Sequence, residues 1–127
     1  MKNFIAAAIL LSSFAVKADV IDCFFTEPFV SVKYNTATET LVEKEAVMDV
    51  SRTIKNVSFT IKYAGTFLLT DKSGKLLAEL KLNNQGSDGM SDAVYPYDAK
   101  YMNVLGNGGT VYGGCTSILK PMVKDAE

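Results

Sequence analysis

The residues able to do chemistry in this chain are few, and they gather between Ser87 and Cys115. That stretch reads SDGMSDAVYPYDAKYMNVLGNGGTVYGGC. Asp88, Ser91 and Asp92 lie in a polar loop with Asn83, Asn84 and Gln85. Several oxygens at this density are what a hard cation such as calcium requires. The loop lacks the 12-residue spacing and closing glutamate of an EF-hand. The same residue types also make ordinary loops, because they hydrogen-bond their own backbone. That structural reading is the stronger one, so no metal is assigned. Tyr95, Tyr97, Tyr101 and Tyr112 offer broad rings with polar tips. Such rings serve contact surfaces, or they cap a β-core and place their hydroxyls at its rim. Glu27 stands beside Pro28-Phe29, just after Phe24-Phe25. It suits either a cationic partner or the backbone of a turn.

Other chemistries are excluded by what is missing. The chain has no histidine. Ser-His-Asp and Cys-His nucleophile pairs, histidine acid–base work and the usual zinc sites are therefore out. No phosphate-cradling glycine loop precedes a helix. No spacing nominates paired carboxylates or a Ser-Lys pair. The expectation is a protein that is not an enzyme and uses no cofactor.

The N-terminus supplies the compartment. MKNFIAAAILLSSFAVKA has a positive start at Lys2, an apolar run from Phe4 to Val16, and Val16-Lys17-Ala18 as a cleavage site. Residues 1–18 read as a secretory signal peptide, whose apolar run is short for a membrane span. Its removal leaves 109 of 127 residues, one small domain over 19–127. Lys2 and Lys17 go with it, so 13 basic residues fall to 11 against 14 acidic ones, a net of −3. With no basic cluster, neither nucleic acid nor anionic lipid is an expected partner. No later segment is long and apolar enough to cross a bilayer. The expected location is the periplasm or the outside of the cell. Two cysteines remain, and in an oxidising compartment Cys23 and Cys115 read as a disulfide. It would close a loop of roughly 90 residues and contribute about 4–5 kcal/mol in the chain-entropy model.

The elements that must position these residues are strands. Val30, Val32 and Tyr34 alternate with Ser31 and Lys33. Val57, Phe59, Ile61 and Tyr63 alternate with Ser58, Thr60 and Lys62, the clearest period of two in the chain. Phe67–Thr70 and Leu76–Leu82 form a hairpin about the turn Asp71-Lys72-Ser73-Gly74. Thr40–Ser51 reads as one strand, although Glu43 to Ala46 also favour a helical turn. Pro96 places its strand at an edge or on a bulge. Gly113-Gly114 marks a bulge or a close backbone approach between Thr110–Tyr112 and Cys115–Leu119. About seven or eight short strands follow, the pattern of an all-β antiparallel barrel or sandwich. The disulfide would close it.

Three segments carry a resemblance. TEPFVSV (Thr26–Val32), then DGMSDAVYPYDAKY (Asp88–Tyr101), then YGGC (Tyr112–Cys115) resemble a family of uncharacterised small exported bacterial proteins. Its members carry E-P-F-W, D-G-M-S-D-x-x-Y-P-Y and G-C in that order. Val30 stands where the family has tryptophan, and Gly86 stands near a cysteine of some members. The resemblance implies no activity. More distantly, the size and β-rich pattern look like small envelope β-barrel domains such as the C-type lysozyme inhibitors, by analogy of fold alone.

The expected function is a non-enzymatic envelope module that binds an unknown protein or small ligand through Asp88, Ser91, Asp92, Tyr95, Tyr97 and Glu27. Inhibition of a lysozyme or another cell-wall hydrolase is one alternative. A structural or cation-stabilised module is another.

Overall fold

The computed structural model describes residues 18–26 and 28–121. Residues 1–17 of the expected signal peptide, and Glu27, lie outside the described residues. Among the described residues nine strands follow one another: β1 (Val20–Phe25), β2 (Val30–Asn35), β3 (Thr40–Glu45), β4 (Val50–Ile54), β5 (Ser58–Tyr63), β6 (Thr66–Thr70), β7 (Leu76–Gly86), β8 (Tyr95–Val104) and β9 (Gly109–Ser117). They make one antiparallel sheet in the order β4-β3-β2-β1-β9-β8-β7-β6-β5. The first and last long strands, β1 and β9, are partners, with Cys23 opposite Cys115. Those two cysteines form the expected disulfide.

Nine strands replace the seven or eight expected. Thr40–Ser51 is not one strand: β3 ends at Glu45, a turn covers 46–49 and β4 begins at Val50; Val20–Phe25 is a further strand, and the last two expected strands merge into β9. Asp49 closes the β3–β4 turn in the left-handed region at φ 55°, a conformation that Asp tolerates better than most residues. Glu43 then faces Arg52, and Leu41 faces Ile54.

The barrel is also open, not closed. Every neighbouring pair in the sheet is antiparallel. In a nine-strand row this leaves the two edges, β4 and β5, pointing the same way. Only Lys55, Asn56 and Val57 join them, a link of at most ~10 Å. Three residues cannot carry the chain back to pair such strands side by side. The sheet therefore coils until β5 continues where β4 stops, past Asn56 at φ 62°. Val57 is fixed at this bend: its N–H donates to Glu39 O at 2.8 Å, and its carbonyl accepts from the Tyr34 hydroxyl at 2.6 Å. The clean alternation of β5 thus marks an edge, where Ile61 and Tyr63 stay exposed.

The core fills the inside of the coil. Ile21, Cys23 and Phe25 of β1 meet Val30, Val32 and Tyr34 of β2, and Leu41, Leu69, Leu80, Tyr97, Tyr101 and Cys115 are among the residues that join them. A row of rings crosses the interior. Tyr34 lies 6.1 Å from Phe59, Phe59 stacks on Phe67 at 5.1 Å, and Phe67 meets Tyr97 edge-on at 6.1 Å. These contacts bring β2 against β5, far apart in the sheet order, so the coil wraps around its own core. Burial raises the Tyr34 hydroxyl pKa, with Glu39 adding to it.

Pro96 lies in β8, a central strand between β7 and β9. The missing donor is accommodated by an irregularity. Leu82 pairs with Tyr97, whereas Gly86 pairs with Tyr95. Of the two places expected for this proline, the bulge is found and the edge is not. Gly113 and Gly114 lie within the single strand β9. At Gly113 a Cβ would come within 2.0 Å of Phe24 O, so β1 and β9 approach closely.

Candidate functional site

The irregularity at Pro96 separates two tyrosines that alternation places on one face. Tyr97 points into the core, where it packs against Phe67. Burial raises its hydroxyl pKa, and Asp19 adds to the effect. Tyr95 lies on the outer face instead. Its ring is 6.0 Å from Phe24, and it covers Gly114 so closely that a Cβ there would come within 2.7 Å of the ring. Tyr101 is fully buried, and Tyr112 is exposed with Lys100 over its ring at 6.0 Å. The four tyrosines do not form one surface.

The loop 87–94 folds over this outer face, and Asp88 holds it in shape. One carboxylate oxygen accepts the backbone N–H groups of Met90 and Ser91, each at 2.8 Å. The other accepts the hydroxyls of Ser91 at 2.8 Å and Tyr95 at 2.9 Å. These donors bring the Asp88 pKa down from 3.8 to about 2, the Ser91 N–H acting most strongly and partial burial opposing it. All four donors belong to residues 90–95, so the carboxylate is occupied by its own loop. Asp92 is exposed, and among the described residues no three Asp, Glu or Cys side chains converge as a metal would need.

A group with a depressed folded pKa stabilises the native state above its unfolded pKa and loses that contribution as pH falls through the folded value. The clasp of the loop should therefore weaken between pH 4 and pH 2. Tyr95 ring resonances followed by NMR through an acid titration are expected to shift in that window. Asp88→Asn should abolish the transition, and an unchanged profile in that variant would assign it to another group.

Gly114 is where the loop needs the sheet to be thin. Both the Tyr95 ring and the Ser87 nitrogen lie within 3 Å of where its Cβ would stand. Gly114→Val is expected to lift the loop and to destabilise the domain by about 1–3 kcal/mol, as overpacking does. Thermal unfolding measures the loss. Protection of the Met90 and Ser91 amides from hydrogen exchange reports whether the loop has lifted.

Once docked, the loop reaches the β1–β2 turn. A Cβ on Gly89, at φ +83°, would come within 2.6 Å of Thr26 Oγ1. The segments TEPFVSV and DGMSDAVYPY, about sixty residues apart, thus meet in space. Between them and the β3–β4 turn opens a cleft of about 680 Å³. Phe24, Phe29, Val50 and Met90 supply its apolar lining, with Lys44, Asp49, Asp88 and Tyr95 also on its walls. Its apolar side chains are uncovered: Met90 is 68% exposed and Phe29 45%, and Val47 and Met48 protrude from the neighbouring turn. Of the residues singled out from the sequence, the cleft collects Asp88 and Tyr95. Ser91 and Asp92 lie on the same loop, and Tyr97 is in the core.

A second polar cluster lies inside the coil. Glu43 is 1% exposed. It accepts the Tyr101 hydroxyl and the Leu105 N–H, both at 2.7 Å, and pairs with the Arg52 guanidinium. Arg52 also donates to Asn103 O at 3.1 Å, and Lys75 donates to Asn103 Oδ1 at 2.9 Å. Burial, then Glu43, push the Tyr101 pKa well up. Sequence reading passed over this cluster. Its signal was present, because Glu43 shares the parity of Leu41, but the helix-forming run Glu43–Ala46 obscured it. With its oxygens engaged and sealed from solvent, Glu43 ties β3 and β4 to the end of β8 across the interior.

No helix among the described residues is long and apolar enough to cross a membrane. No protein-family model, curated protein or solved structure matches the chain.

Proposed function

We infer that the protein is a non-enzymatic binding module exported to the cell envelope, with the outer cleft as its recognition element. The observation that carries this reading is the convergence of Phe24, Phe29, Val50 and Met90 on one concavity of about 680 Å³. Exposed apolar side chains scattered singly need no explanation, whereas a concave group of them marks a binding surface. The volume lies within the range of ~300–1,000 Å³ that small-molecule sites occupy. Export is supported by the N-terminal signal pattern and by the disulfide, a bond of oxidising compartments. The clasped loop supports binding too, because it presents Met90 from a shaped backbone and limits the ordering needed on contact.

The test titrates fractions of an envelope extract, separated into lipids, glycans and peptides, onto isotope-labelled protein. Amide shifts are expected in residues 24–31, 44–51 and 88–95 with at least one fraction. Met90→Asp should suppress them, while Tyr112→Asp, a substitution away from the cleft, should not. Shifts confined to other regions, or none with any fraction, would remove the cleft from the account. A cell-wall lysis assay with added protein runs beside it. Inhibition that survives Met90→Asp would place a hydrolase contact elsewhere.

A further inference from the structure

Resting on that binding reading, the chemical class of the ligand follows from one row of the sheet. The pairings Gly114↔Phe24, Phe24↔Ser31, Ser31↔Lys44 and Lys44↔Ser51 set these residues side by side across β9, β1, β2, β3 and β4. Their neighbours Cys23, Val32, Glu43 and Cys115 are buried inside. Side chains alternate along a strand, so the whole row faces outward. It passes from an aromatic end, Phe24 beneath Tyr95, to an ammonium with a hydroxyl on either side. The cleft of about 680 Å³ lies on one side of this row. A second hollow of about 570 Å³ lies on the other, and the two share Phe24, Ser31 and Lys44.

Lys44 is exposed, and among the described residues its ammonium enters no ion pair. The acids around it are otherwise disposed. Asp88 is occupied by its loop. Glu45 is buried and accepts the Met48 N–H. Asp22 pairs with Lys33 at 3.8 Å. Asp49 also lines the cleft, in the β3–β4 turn beyond the Glu45–Val50 pair. One cation flanked by donors, joined to an apolar hollow, complements one anion joined to an apolar chain.

We propose that this site takes a small single-chain amphiphile with one anionic head group, a medium-chain carboxylate being the simplest case. The head sits on Lys44 between the Ser31 and Ser51 hydroxyls. The chain runs past Phe24 into the cleft lined by Phe29, Val50 and Met90. A small molecule fits better than a protein because the apolar surface is a concavity bordered by turns.

The probes are dodecanoate, dodecanol and dodecyltrimethylammonium below their micellar concentrations, each titrated by NMR and calorimetry. Dodecanoate is expected to bind most tightly, with shifts at Lys44, Ser31 and Met90. Lys44→Gln should weaken it about tenfold, the scale of one charge-assisted hydrogen bond, and leave dodecanol unaffected. Met90→Asp should weaken both. Equal binding of dodecanoate and dodecanol, indifference to Lys44→Gln, or no binding of any probe would overturn the ligand class. If extract fractions still shift the cleft residues in that event, the binding function stands without it. If they do not, both fall.

Discussion

Cys23→Ser with Cys115→Ser is expected to lower the free energy of unfolding by about 2–5 kcal/mol, as loss of a native disulfide does in small exported domains. The two cysteines are 92 residues apart in sequence and directly opposite each other on β1 and β9. The bridge therefore keeps the unfolded chain from exploring almost the whole length of the domain. Among the described residues, the β1–β9 ladder is also the one strand pairing that joins the two arms of the sheet. One arm is the meander β1 to β4, the other β5 to β9. Elsewhere they meet through core packing, the link 55–57 and the polar cluster of Glu43 and Arg52 with the end of β8. Guanidinium denaturation of oxidised, reduced and doubly substituted protein gives the measurement. The midpoint should fall, and the slope should rise as the unfolded ensemble expands. An unchanged midpoint would show that the ladder and core hold the arms together unaided.

Glu43→Ala is expected to be as severe, at about 3–5 kcal/mol, because it strands a guanidinium that is largely sheltered. It also removes the acceptors of the Tyr101 hydroxyl and the Leu105 N–H. The individual bonds carry less. Tyr101→Phe, which deletes one donor and leaves its ring in place, should cost only about 1 kcal/mol. The contrast separates the charge from the hydrogen bond. Replacing the pair together, Glu43→Leu with Arg52→Met, should recover much of the loss, since an apolar pair avoids the desolvation of two ions. Urea unfolding of the four proteins ranks these losses, and adding Glu43→Leu and Arg52→Met singly completes the cycle that gives the coupling energy. If Glu43→Ala is mild and the double replacement no better, the ion pair is not what joins β4 to the end of β8.

The two sites differ in how far the sequence revealed them. Asp88, Ser91 and Tyr95 were visible as chemistry, and all belong to the docked loop or its clasp. The direction of the tyrosines was not visible, because alternation assumes an unbroken register and the irregularity at Pro96 breaks it. Tyr97 consequently entered the core, and Tyr95 the outer face. Lys44 and Glu43 carried a strand's parity inside a helix-forming run. Only the hairpin turn at Ala46–Asp49 resolved which of them points inward. Phe29, Val50 and Met90 are unremarkable residues singly. Their convergence comes from three turns far apart in sequence.

The residue pattern alone determined the class of fold: strands of period two, turn residues between them, and two cysteines that had only each other. These are local or combinatorial facts, and local sterics and hydrophobic alternation suffice to express them. The tertiary structure decided the coil, its open edge at β4 and β5, the buried ion pair and the outer cleft. Each depends on how nine strands are ordered and sheared around one core, and that arrangement is set by the sum of long-range contacts rather than by any segment.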